Sequence, residues 1–163
     1  MDASQIPAAP AASATSLVRH LLATSREWTP LVLRLSLGAM IFPHGAQKLL
    51  GWFGGFGFTG TMGFFTDTMG LPYVLGLLAI VAEFFGGIAL LAGALTRVAA
   101  FGVGTTMLVA ALTSHVQHGF FMNWFGAQEG EGVEFFVLAV GIAAALVASG
   151  GGRYSVDRAL ILR

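Results

Sequence analysis

Four apolar stretches divide the chain, and a few polar residues close or interrupt each of them. The first covers residues 30–50, with Pro30 in a first helical turn, where its missing N–H costs nothing. It is about 20 residues long, enough for a helix to cross a hydrocarbon core of about 30 Å. The second covers residues 71–95, the third 98–116 and the fourth 132–149. Small residues recur on them at helical spacing, among them Ala79, Ala82, Gly86, Gly102, Gly141 and Ala145. Such residues let helices approach closely in lipid. The pattern predicts an all-α membrane protein, a four-transmembrane-helix bundle formed by residues 16–163 as one domain. Residues 1–15, rich in Ala, Ser and Pro, form no core pattern and are expected to be a disordered leader without signal-peptide organisation.

The links carry their own signals. Residues 16–28 mix Leu17, Val18, Leu21 and Leu22 with Arg19, His20, Arg26 and Glu27, which reads either as a short interfacial helix or as an unstructured basic leader. Residues 51–70 are rich in Gly and Phe. Gly55 to Gly60 spells G-x-G-x-x-G, but no strand precedes it and no βαβ unit surrounds it, so the nucleotide reading is rejected. This connector is expected in the interface, with a partly re-entrant course as one form it can take and a short helix over residues 61–69. Residues 119–132 carry Phe120, Phe121, Trp124 and Phe125, an interfacial aromatic belt. Ser155 is placed to cap a last short helix, with Asp157 in its first turn.

Lys and Arg are distributed unevenly. Arg19 and Arg26 precede the first stretch, Arg97 lies between the second and third, and Arg153, Arg158 and Arg163 follow the fourth; the other two links offer only Lys48 at an edge. By the positive-inside rule both termini of a multi-pass membrane protein face the cytoplasm. Arg34, in the first turn of the first span, is expected to snorkel to the interface. At a helical rise of ~1.5 Å per residue, His44 lies roughly 21 Å along the first span and Glu83 roughly 18 Å down the second, near the midplane; His115 lies roughly 25 Å along the third. Glu134 opens the fourth. The polar groups therefore collect in the outer half of one bundle. His44, Gln47 and Lys48 share a helix face. A Glu at the depth of Glu83 is either protonated and hydrogen-bonded for packing or paired with a cation, for which Lys48 and a protonated His are the candidates.

Composition narrows the classes. Of 163 residues, 56% are hydrophobic and 10% charged, against about 25% charged in a soluble domain. Eight basic residues balance eight acidic ones, and no basic run is available for phosphate contacts, so no nucleic-acid partner is expected. The absence of cysteine removes disulfides, thiolate nucleophiles and CxxC redox chemistry. Three His and two Glu could ligate a metal only if three helices converged, and no adjacent ligand motif such as H-E-x-x-H is present; no metal is expected. A quinone asks for less: an aromatic slot open to the bilayer, a donor such as His and a protonatable Glu.

The run Phe42-x-His44-Gly45-x-Gln47-Lys48-Leu49-x-Gly51, with the Gly/Phe connector after it, resembles the DoxX family of small bacterial membrane proteins. Glu83-x-x-Gly86-Gly87-x-x-Leu90-x-x-Gly93-x-x-Thr96-Arg97 fits the same pattern, as do His115, Gly132-x-Glu134 and the Gly152 to Asp157 tail, over roughly residues 31–160. The resemblance implies a four-helix membrane bundle in a bacterial cytoplasmic (inner) membrane, and a link to thiosulfate:quinone oxidoreduction or to membrane complexes handling oxidative and thiol stress. The leading expectation is a quinone-linked membrane redox subunit. Glu83 and His44 would do its chemistry, and His44, Gln47, Lys48, His115 and Glu134 would bind the quinone. The alternatives are a non-catalytic anchor for soluble redox enzymes and a small proton-coupled transporter using Glu83 as a relay. Expected partners are the bilayer, a quinone, soluble redox proteins and further copies of the chain.

Overall fold

The computed structural model describes residues 14–162, all of its regular elements helical. The expected leader falls largely outside the described residues. Helix α1 (Ala14–Leu22) leads into α2 (Thr29–Leu50). A 3₁₀ turn (Trp52–Gly54), the short α3 (Gly57–Gly63) and a π turn (Phe64–Thr68) form the Gly/Phe connector. Then come α4 (Tyr73–Ala92), α5 (Thr96–Ala110), α6 (Glu134–Ser149) and α7 (Val156–Ile161).

Helices α2, α4, α5 and α6 pack side by side, each against the next in sequence, and α6 returns to α2. One end, the terminal end, carries α1, the α4–α5 turn and α7. The other, the loop end, carries the connector and the α5–α6 link. The core joins Leu37 and Ile41 of α2, Leu90 of α4, Val103 and Met107 of α5, and Leu146 of α6. The outward faces are apolar too: Val74, Leu78 and Phe85 on α4, Phe101 and Leu112 along the third long helical stretch, and Leu138 on α6 are all exposed. Helices apolar on both sides suit lipid rather than water. Among the described residues, Tyr73–Ala92 and Thr96–His118 are long and apolar enough to cross a membrane; Glu134–Ser149 is apolar but shorter, and α2, at 22 residues, carries Arg34 and Lys48.

The helix ends differ from the expected bounds for identifiable reasons. Helix α4 stops at Ala92 because Gly93 turns left-handed (φ 69°), and a Cβ there would also meet Ser155 and the Arg34 guanidinium. Helix α5 starts at Thr96 because Asp157 of α7 accepts hydrogen bonds from the Leu95 and Thr96 N–H groups at 2.6 and 2.9 Å, capping it from the far end of the chain. Helix α6 begins only at Glu134, since the Gly132 and Val133 N–H groups donate to Phe121 and Gly119 carbonyls in the preceding loop. The α5 ladder widens into a π turn (Ala111–His115) and ends in a 3₁₀ turn (Val116–His118). The short helix expected over residues 61–69 appears as α3 with the π turn after it, starting earlier at Gly57.

Arg34 corrects an expectation. It does not snorkel to the interface but is 2% exposed. Its guanidinium donates to the carbonyls of Gly151 (3.0 Å), Leu90 (3.1 Å), Leu91 (2.5 Å), Tyr154 (3.0 Å) and Arg153 (3.5 Å). Leu90 and Leu91 are last-turn carbonyls of α4, where helical N–H donors run out; Leu90 accepts from the Gly93 N–H at 3.2 Å as well as from Arg34. Arg34 therefore ties α2, α4 and the 150–155 tail together. Ser155 caps α7 as expected, accepting from the Arg158 N–H at 3.2 Å. Arg97 completes the terminal end by donating to the Ala23 carbonyl at 3.0 Å and to that of Val147.

Candidate functional site

Leu37, Ile41, His44 and Lys48 recur every three or four residues and so lie along one stripe of α2. The stripe is buried at Leu37 and Ile41, exposed at His44 and half-buried at Lys48, so it emerges from the core toward the loop end. Ile80, Glu83, Gly87 and Leu90 form the matching buried stripe of α4. Gly45 sets the separation of the two. A Cβ there would overlap the backbone of Glu83 and Phe84, so α2 and α4 touch backbone to backbone at this level.

That contact brings Lys48 Nζ to 2.5 Å from Glu83 Oε2. The Glu83 side chain is 4% exposed and that of Lys48 27%, so the pair is buried at its acidic end and open at its basic end. Of the two states the sequence left open for Glu83, the paired one is realised, and the cation is Lys48. His44 lies one turn before Lys48 and interacts electrostatically with both Lys48 and Glu83, but makes no hydrogen bond among the described residues. Pro43 takes one N–H out of the helical ladder just before it, freeing the Ala39 carbonyl. Phe84, next to Glu83 in sequence, lies with its ring centroid 5.6 Å from that of Phe42, and Phe85 meets Phe84 edge-on at 5.0 Å.

The other expected site residues face the loops. Gln47 donates to the Phe53 carbonyl at 3.4 Å, holding the connector to α2. His115 bonds through Nδ1 to the Glu131 carbonyl at 2.9 Å, and its ring lies 4.3 Å from that of Phe136. A carbonyl can only accept, so Nδ1 carries the proton and Nε2 of the neutral ring is an acceptor. The Glu134 carboxylate accepts from the Met122 N–H at 3.2 Å. Thus Lys48, Glu83 and His44 form one group, while Gln47, His115 and Glu134 are each bound to a loop. Among the described residues no three His, Asp or Glu side chains gather closely enough to hold a metal ion.

Beside His115, Leu108, Ala111, Phe136, Val137, Val140 and Gly141 line an apolar crevice of 320 Å³ between α5 and α6. Its floor includes the first residue of the π turn, where the widened ladder shifts the register of the following side chains. No periodicity in the sequence marks this crevice.

No curated protein and no solved structure matches the chain. The family model described as DoxX matches residues 29–116. The match takes in α2 through the end of the 111–115 turn, and with it His44, Gln47, Lys48, Glu83 and His115. It stops short of Glu134 and of the tail motif. With more than half of its length matched, and with helices apolar enough to cross a bilayer, the chain belongs to the DoxX family and is a membrane protein.

Proposed function

We propose that the chain is a multi-pass protein of the bacterial cytoplasmic membrane and the membrane subunit of a quinone-linked redox system. In this reading α2, α4, α5 and α6 are four spans, both termini are cytoplasmic, and the connector lies in the outer interface as a partly re-entrant loop. Charge placement supports the topology. Arg19, Arg26, Arg97, Arg153 and Arg158 cluster at the terminal end, whereas Asp67, Glu129, Glu131 and Glu134 lie at the loop end.

The observation that carries the functional reading is an exposed imidazole, His44, without a hydrogen-bond partner among the described residues, set beside a buried Lys48–Glu83 pair. Reduction of a quinone to its quinol takes up protons as well as electrons. His44 and the free N–H bonds of the Lys48 ammonium are donors for a quinone oxygen, the ionised Glu83 behind them anchors that ammonium and accepts a replacement proton, and the Phe42–Phe84 pair offers an aromatic wall. Gln47 orients the group by fixing the connector, and His115 and Glu134 form the rim. Electrons come from an associated soluble redox protein, since a chain without cysteine has no thiol chemistry of its own.

The test is quinone content and quinone-linked turnover in the purified protein. His44→Ala and Glu83→Gln should each lose turnover, with His44→Ala keeping the wild-type melting temperature. Full turnover in both variants would overturn the reading and favour a non-catalytic anchor, for which the Lys48–Glu83 pair is only a clamp. Proton flux into liposomes that depends on Glu83 but not on added quinone would instead favour a transporter.

A further inference from the structure

Thr24, Arg26, Arg158, Ile161 and Leu162 line a groove of 170 Å³ at the terminal end, where the α1–α2 link meets α7. Apart from Arg19, which lies outside the groove, the arginines of this end fall into two sets. Arg34 and Arg97 are bound to backbone carbonyls, and Arg153 lies 4.7 Å over the Trp28 ring. Arg26 and Arg158 have no partner for their guanidinium groups among the described residues, and both line the groove. The nearby acids do not neutralise them: Asp157 is committed to the N–H groups of α5, and Glu27 is not part of the lining. Thr24 Oγ1 accepts from the Gly152 N–H at 2.6 Å, which leaves its own O–H to donate. Two guanidinium forks and a hydroxyl make a donor set suited to a phosphate group.

One wall of the groove is apolar. Ile161 and Leu162 are 45% and 67% exposed, and Leu160 of α7 and Leu17 and Val18 of α1 are exposed as well. A free phosphate has no use for such a wall; a phosphate carrying acyl chains has. Helices α1 and α7, packed on each other across the end of the bundle, have the character of interfacial helices, with cations beside exposed apolar residues. We propose that this groove binds the headgroup phosphate of an anionic phospholipid. Arg26, Arg158 and Thr24 hold the phosphate, and Ile161 and Leu162 lie along the first part of the acyl chain. The site lies at the opposite end of the bundle from the Lys48–Glu83 pair and is independent of it.

The experiment is native mass spectrometry of the full chain in detergent, titrated with phosphatidylglycerol or with phosphatidylcholine of the same acyl chains. The wild type should retain the anionic lipid about tenfold better. Arg26→Gln combined with Arg158→Gln should bring the two lipids to parity, and each single change should remove part of the preference. Arg19→Gln, an exposed arginine outside the groove, should leave it intact. Equal retention of both lipids by the wild type, or a preference that survives the double change, would overturn the proposal. Displacement of the lipid by inorganic phosphate at matched concentration would overturn the lipid assignment and leave a plain phosphate site. The single variants keep the test decisive if the double variant folds poorly.

Discussion

Lys48 Nζ and Glu83 Oε2 meet at 2.5 Å across the α2–α4 contact, with only the lysine partly open to the outside. Burying one end of an ion pair makes its loss asymmetric. Removing the cation strands a carboxylate that solvent cannot reach, whereas removing the anion leaves a lysine that can turn outward.

Lys48→Met should therefore destabilise the protein by about 2–4 kcal/mol and Glu83→Gln by about 1 kcal/mol. The double variant should be more stable than Lys48→Met alone. Thermal unfolding in detergent, read as a double-mutant cycle, checks the order. Equal losses in the two single variants would mean that the pair is solvated at both ends.

Gly45→Ala should separate α2 from α4, because its Cβ would meet the Glu83 and Phe84 backbone rather than a side chain able to move aside. Overpacking of this kind costs about 1–3 kcal/mol. The same displacement draws Lys48 away from Glu83, so Gly45→Ala and Lys48→Met should be strongly non-additive. Additive melting shifts would contradict the geometric link.

Arg34→Lys should fail to replace Arg34, since one ammonium cannot reach carbonyls on α4 and on the 151–154 tail together. A loss of about 3 kcal/mol or more is expected, with early proteolytic release of the C-terminal segment. Limited proteolysis followed by mass analysis reads this directly; a wild-type cleavage pattern would count against the clamp.

Ser155→Ala should cost about 1 kcal/mol through the lost cap of α7. Asp157→Asn keeps the shape but not the charge facing the Leu95 and Thr96 N–H groups, and should raise amide hydrogen exchange at the start of α5. Unchanged exchange at residues 95–97 would show that α5 caps itself by other means.

Much of this architecture can be read along the chain. Hydropathy and helical spacing locate the four long helices within a few residues. The Ser155 cap is legible because a cap acts over three residues of contiguous backbone. The collection of His44, Gln47, Lys48 and Glu83 in one half of the bundle follows from helix length and direction alone. The resemblance that begins at Phe42 names the same family as the profile match over residues 29–116.

Partnership is another matter, because it depends on the rotation and depth at which one helix meets the next. The sequence offers both Lys48 and a protonated His as cations for Glu83; the bare backbone of Gly45 brings α2 against α4 in the register that selects Lys48. Arg34 has the look of a snorkelling residue when only its own helix is considered; the carbonyls that hold it belong to α4 and to the tail. Asp157 looks like a first-turn acid of a short helix, yet its carboxylate serves the N-terminus of α5. The chain order dictates which segments are helices and where their polar residues lie along them. Only the packed bundle decides which of those residues touch, since hydrogen bonds and ion pairs act over a few ångströms between groups that sequence distance does not relate.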